Sequence, residues 1–146
     1  MLKCLLIAVL LLATNLSNGQ SADSLTFLNV DPAALSAKYN FPLPGEVLKL
    51  RQQLALTALQ VSRLNDINKT LLLKRAETTI SHARNEHVLD SMFRTRRLNE
   101  GSIIFYTNRY GLYQGELRGA LLIACYNTRQ VLTAAQLAKF AQLQKP

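Results

Sequence analysis

Three features of this sequence predict an all-α fold, a long antiparallel helical hairpin with short helices at its open end. The pattern Leu-Thr-x-x-Gln occurs twice, at Leu56 to Gln60 and at Leu132 to Gln136. Between the copies, the stretch from Ala58 to about Thr95 contains neither Gly nor Pro. Residues from about 100 to 131 then repeat apolar side chains in steps of three and four, the period of a helix face. In each copy of the pattern a Thr stands three residues before a Gln beside an apolar run, which is a capping box. The hydroxyl of Thr57 or Thr133 accepts from a backbone N–H of the first turn, and the amide of Gln60 or Gln136 reaches back to the Thr N–H. Leu56 and Leu132 precede the caps and are placed to staple onto Val61 and Leu137.

Residues 1–19 read as a secretory signal peptide. Lys3 gives a positive start, Leu5 to Ala13 are apolar, and Ser17 and Gly19 supply small side chains for cleavage before Gln20. The alternative is an uncleaved N-terminal membrane anchor. Residues 20–44 form a flexible linker, polar and broken by Pro32, Pro42 and Pro44, in which Phe27, Leu28, Tyr39 and Phe41 have local docking open to them. The helical domain takes residues 45–146.

Within that domain Val47, Leu48, Leu50, Leu54 and Leu56 predict a first short helix at about 45–55. The long helix that follows steps through Val61, Leu64, Ile67 and Leu71, then Leu73, Ala76, Ile80 and Ala83, and would be roughly 55 Å long at 1.5 Å per residue. It ends at Arg94, Arg96 and Arg97, where cations suit the negative end of the helix dipole. Asn99 is the next N-cap. Ile103, Tyr106, Tyr110, Tyr113, Leu117, Leu121, Ala124, Thr128 and Val131 form a heptad seam on the second long helix. Gly111, Gly115 and Gly119 each cost that helix up to ~1 kcal/mol relative to Ala, which predicts close approach of another helix along their face. The last helix runs from 134 to about 144 with Leu137, Phe140, Ala141 and Leu143 on its apolar side. Two helices enclose no core, so the short helices and a second copy of the chain are expected to close the seams as a homodimer.

The chain has 146 residues, room for one domain. Once Lys3 leaves with the signal, 16 basic residues remain against nine acidic ones, a surplus of seven. Such a surplus favours acidic partners. Nucleic acid is not among those expected, since the chain is exported and carries no motif of a nucleic-acid-binding module. Cys4 also leaves with the signal, so Cys125 has no intramolecular partner and stability must come from packing. It is read as core, with an intermolecular disulfide as the other option.

No nucleophile–base pair, paired carboxylates or phosphate-cradling glycine loop stands out, so the chain is not read as an enzyme and no cofactor is expected. The alternative is a divalent transition metal on His82 and Glu86, which share a helix face at i, i+4; His87 is turned about 100° away. The other reading of that pair is a polar, solvated helix face. Arg94, Arg96, Arg97, Lys74, Arg75, Arg84 and Arg109 are the candidate contacts for an acidic partner, or the solvated faces of two long helices. Lys69 and Arg118 belong to the same basic set. Tyr106, Tyr110 and Tyr113, with Phe105 beside them, are either seam or a platform for exposed apolar segments.

On the two Leu-Thr-x-x-Gln copies, on Leu89-Asp90-Ser91-Met92-Phe93 and on Gly115-Glu116-Leu117-Arg118, residues 45 to 144 resemble the LTxxQ group of periplasmic proteins, Spy/CpxP-like, and within it the heavy-metal sensor (CnrX-like) branch. That resemblance implies a dimeric helical hairpin with a concave basic face. It also implies one of two activities. One is ATP-independent holding of unfolded or acidic polypeptides; the other is regulation of an envelope-stress or heavy-metal response through a membrane signalling protein. The sensors' paired metal ligands match Leu121 and Cys125 here, and a Leu offers no donor.

Overall fold

The computed structural model describes Ala34 and residues 38 to 144, and it is all-helical, with no strand among those residues. The signal peptide expected at 1–19 and most of the linker expected at 20–44 lie outside the described residues. Four helices are described: α1 Pro44–Lys49, α2 Ala58–Arg94, α3 Glu100–Val131 and α4 Ala134–Leu143. No helix among these residues is long and apolar enough to cross a membrane.

Pro44 opens α1 at its first position, where the missing N–H would have had no helical partner anyway. The expected helix over 45–55 stops early, at Lys49. Turns follow, and Ala55 takes a left-handed conformation, φ 47°. Two backbone bonds close that end: Leu56 N–H donates to the Arg51 carbonyl at 3.0 Å, and Ala55 N–H to the Gln52 carbonyl at 3.1 Å. This pair of bonds is the Schellman closure, here built without glycine. It turns the chain so that Leu54 enters the core while Thr57 begins α2.

The far end of α2 closes in the same way. Arg96 has φ 54°, Arg97 N–H donates to the Met92 carbonyl at 3.0 Å, and Arg96 N–H to the Phe93 carbonyl at 3.1 Å. Asn99 then caps α3, its side chain accepting from Ser102 N–H at 2.8 Å while Ser102 Oγ accepts from Asn99 N–H at 3.0 Å. Between the long helices, contacts pair Lys74 with Glu116, His82 with Tyr110, and Asn85 with the Tyr106 carbonyl. Residue numbers rise along α2 as they fall along α3.

The apolar core sits at the end away from the 95–99 turn. Val47, Leu54, Leu64, Leu132, Leu137 and Phe140 form it, with Leu48, Leu50, Leu56 and Val131 packed around them. α1 lies against α2 at Gly45, where a Cβ would meet Asn68 Oδ1 at 3.4 Å, an ordinary van der Waals contact. Residues 40 to 43, inside the stretch expected to be linker, are held in place. Arg129 Nη1 donates to the Asn40 carbonyl at 2.8 Å, its guanidinium lies 4.9 Å from the Phe41 ring centre, and Pro42 is fully buried.

The two capping boxes meet inside this end. Thr57 Oγ1 accepts from Gln60 N–H and Thr133 Oγ1 from Gln136 N–H, both at 3.2 Å, and each Gln Oε1 accepts from its Thr N–H at 3.0 Å. Gln60 Nε2 also donates to Gln136 Oε1 at 2.8 Å and to the Val131 carbonyl at 2.9 Å. Gln136 Nε2 returns to Gln60 Oε1 at 3.1 Å and to the Leu54 carbonyl at 3.3 Å. Each glutamine therefore closes the start of its own helix and satisfies a carbonyl at the end of the element across from it.

Past Leu71 the expected inner face of α2 changes sides. The step from Leu71 to Leu73 turns about 200° round a helix at 100° per residue. Leu73 and Ile80 are each 61% exposed, and Ala76 and Ala83 are exposed as well. The inward positions are polar instead: Lys74, Thr78, Ser81, His82 and Asn85. On α3 the seam from Tyr106 to Val131 faces inward as expected, while Ile103 is exposed. Ile104, Leu112, Leu122, Ile123 and Tyr126 are exposed on the other side. Nothing lies within 4 Å of where a Cβ would stand on Gly111, Gly115 or Gly119, so among the described residues no helix approaches them.

Candidate functional site

The residue that builds the site from below is Asn85. It sits on the inner face of α2, 4% exposed, and its Nδ2 donates to the Tyr106 carbonyl at 3.1 Å. A carbonyl in mid-helix already accepts from the next turn, so this bond uses its second lone pair and fixes the spacing of α2 and α3 there. Asn85 Nδ2 also lies 3.5 Å from Glu86 Oε1. Beside this bond is a pocket of about 390 Å³, lined by Ser81, Arg84, Asn85 and Val88 from α2 and by Phe105, Tyr106, Arg109 and Tyr113 from α3.

Helical spacing explains which side chains arrive. Ser81, Asn85 and Val88 step by four and three along α2, and Tyr106 and Tyr113 lie on the α3 seam. Phe105 and Arg109 are i, i+4 at the edge of that seam, neighbours on one helix face. The Arg109 guanidinium lies 5.5 Å from the centres of both the Phe105 and Tyr113 rings, and its Nε donates to Tyr113 Oη at 3.1 Å. Phe105 meets Tyr106 edge to face, 5.1 Å between centres. Arg109 is therefore held by ring faces and one hydroxyl.

Among the described residues the side-chain ion pairs are those of Lys74, with Glu116 at 2.9 Å and with Glu77 at 3.4 Å. Among those residues neither Arg84 nor Arg109 has a carboxylate partner. Of the seven basic residues singled out from sequence, these two line one pocket. Arg94, Arg96 and Arg97 are exposed at the end of α2 and in the turn, and Arg75 is exposed on α2. Lys74 is committed between the helices, where its hydrogen bond to Glu116 is the main reason that its pKa is raised. The lysine thus acts as a rivet between α2 and α3 more than as a contact for a partner.

His82 packs on Tyr110 with 4.7 Å between ring centres, and its Nε2 is buried without a partner. Glu86 and His87 are exposed. Among the described residues no three His, Cys, Asp or Glu side chains come together in a group able to hold a metal. Cys125 is buried, 1% exposed; burial first, then the negative charge of Glu46, pushes its thiol up to about 11. A protonated, enclosed thiol is a poor nucleophile for disulfide exchange.

Sequence reasoning missed Ser81, Asn85 and Val88 as members of the site. The signal was present: continuing the three-and-four step from Leu64, Ile67 and Leu71 in phase leads to Lys74, Thr78, His82 and Asn85 whatever their polarity. Comparisons with protein-family models, with curated proteins and with solved structures found no match for the chain.

Proposed function

We propose that this chain is a periplasmic, ATP-independent, chaperone-like binding protein that holds unfolded or acidic polypeptides, exported by its N-terminal segment and working as a dimer of helical hairpins. One observation carries the reading: two arginines that have no carboxylate partner among the described residues line a pocket together with three aromatic rings. Arginine over an aromatic ring offers a fixed cation beside an apolar surface, a combination that accepts many acidic or aromatic segments weakly. Capture would begin with the basic surplus and therefore weaken with salt. The reading uses no catalysis, cofactor or nucleotide.

The uncovered faces of the long helices support the dimer. Leu72, Leu73 and Ile80 on α2, and Ile104, Leu112, Leu122, Ile123 and Tyr126 on α3, are large apolar side chains left exposed by the single chain. The same faces favour a second reading, a regulatory subunit that docks on the helical part of a membrane signalling protein.

Light scattering of a chemically denatured client, diluted with and without the purified protein in the absence of ATP, tests the proposal. Suppression of aggregation that fades as salt rises is the expected result. Reversing Arg84 and Arg109 to Glu should weaken it more than reversing Arg94, Arg96 and Arg97. No suppression at any ratio removes the holding function and leaves the regulatory reading.

A further inference from the structure

The pocket is small for a polypeptide binder. At about 390 Å³ this half-open cleft stands near the lower end of the 300–1,000 Å³ range of small-ligand sites, a volume that matches one compact group. Its lining holds two guanidinium groups and no acid. Arg109 has five N–H donors; Tyr113 Oη takes those of Nε and one of Nη2, which leaves the rest for a ligand. The group that fits a planar guanidinium fork is a planar carboxylate. Phe105, 51% exposed and stacked beside Arg109, adds apolar surface to the lining together with Val88 and Tyr106.

Resting on the binding reading above, which makes this pocket a contact site, we propose that it recognises a carboxylate carried directly beside an aromatic or large apolar group. The carboxylate lies between Arg84 and Arg109, and the apolar group lies against Phe105 and Val88. Such a group occurs in two places, at the free C-terminal end of a polypeptide whose last residue is aromatic and in a free aromatic amino-acid derivative.

Titration of the purified protein by calorimetry separates these sources. N-acetyl-L-phenylalanine should bind saturably at one site per chain, and its neutral amide at least about tenfold more weakly, the loss of a charge-assisted pair. Arg84→Gln and Arg109→Gln should each weaken the acid by a similar factor with helical circular dichroism unchanged, while Arg97→Gln should not. If Arg109→Gln unfolds because its ring contacts are lost, Arg84→Gln alone decides. A peptide ending in Phe that binds better with a free than with an amidated end assigns the polypeptide source; binding of the small acid alone assigns the free one. Equal binding of acid and amide, tighter binding of phenyl phosphate, or no saturation at ~10 mM overturns the proposal. Aggregation suppression without acid binding would remove this pocket specificity and keep the holding function. Acid binding without suppression would do the reverse.

Discussion

The two ends of the long helix pair are built on opposite principles. Around the capping boxes, four elements bury Val47, Leu54, Leu64, Leu132, Leu137 and Phe140, and Gln60 with Gln136 uses its donors and acceptors on named partners, although Asn40 Oδ1, Glu46 Oε2 and Thr128 Oγ1 are buried at this end without partners among the described residues. Beyond Leu71, among the described residues, only two helices meet. Their seam holds Thr78, His82 and Asn85, whose Oγ1, Nε2 and Oδ1 atoms are buried without partners, while leucines and isoleucines face outward. The first end has the composition of a core. The second has a polar seam and an apolar outer face, the composition on which the proposed binding rests. The packed core and the proposed contact surface thus lie in different halves of the same two helices.

Breaking the packed end should have the largest effect. Phe140 is 1% exposed at the centre of the cluster, and Phe140→Ala is expected to cost about 3–5 kcal/mol, measured by urea denaturation. A comparable truncation outside, Leu73→Ala, should change stability by under about 0.5 kcal/mol. If the two losses were alike, the contrast between the ends would fail.

The link between the boxes sharpens the same comparison. A double-mutant cycle on Gln60→Ala and Gln136→Ala should return a coupling of about 0.5–3 kcal/mol, because the two amides share hydrogen bonds. Additive losses would mean that each box caps only its own helix.

In the polar seam the sign should reverse. Thr78 is 4% exposed with an unpartnered hydroxyl, and Thr78→Val replaces that oxygen by a methyl of similar shape. A gain of about 1 kcal/mol is expected from removing an unsatisfied buried group. A loss would show that the hydroxyl is bonded in solution.

The smallest effect is at the turn. Arg96 holds a left-handed backbone conformation that glycine adopts without strain, so Arg96→Gly should stabilise by roughly 0.5–1 kcal/mol. A drop in melting temperature would mean that the Arg96 side chain contributes more than its backbone costs.

Local chemistry alone determined the helices. Thr57, Asn99 and Thr133 mark three helix starts because a capping side chain acts within three residues of itself, and the seam from Tyr106 to Val131 is legible because every third or fourth residue is apolar or small. The inner face of α2 past Leu71 is not legible from hydrophobicity for the same reason turned round: a helix keeps its phase whatever its side chains are, and past Leu71 the apolar residues leave that phase. The early end of α1 was hidden by Ala55, which carries no glycine signal for a left-handed cap.

Tertiary structure decided the rest. That Gln60 and Gln136 bond to each other, that Lys74 is spent on Glu116, and that Arg84 and Arg109 share a pocket depend on how α2 is set against α4 and α3, with partners 25 or more residues apart in sequence. Register is set by the sum of many weak side-chain contacts across the seam, and no short stretch of sequence contains that sum.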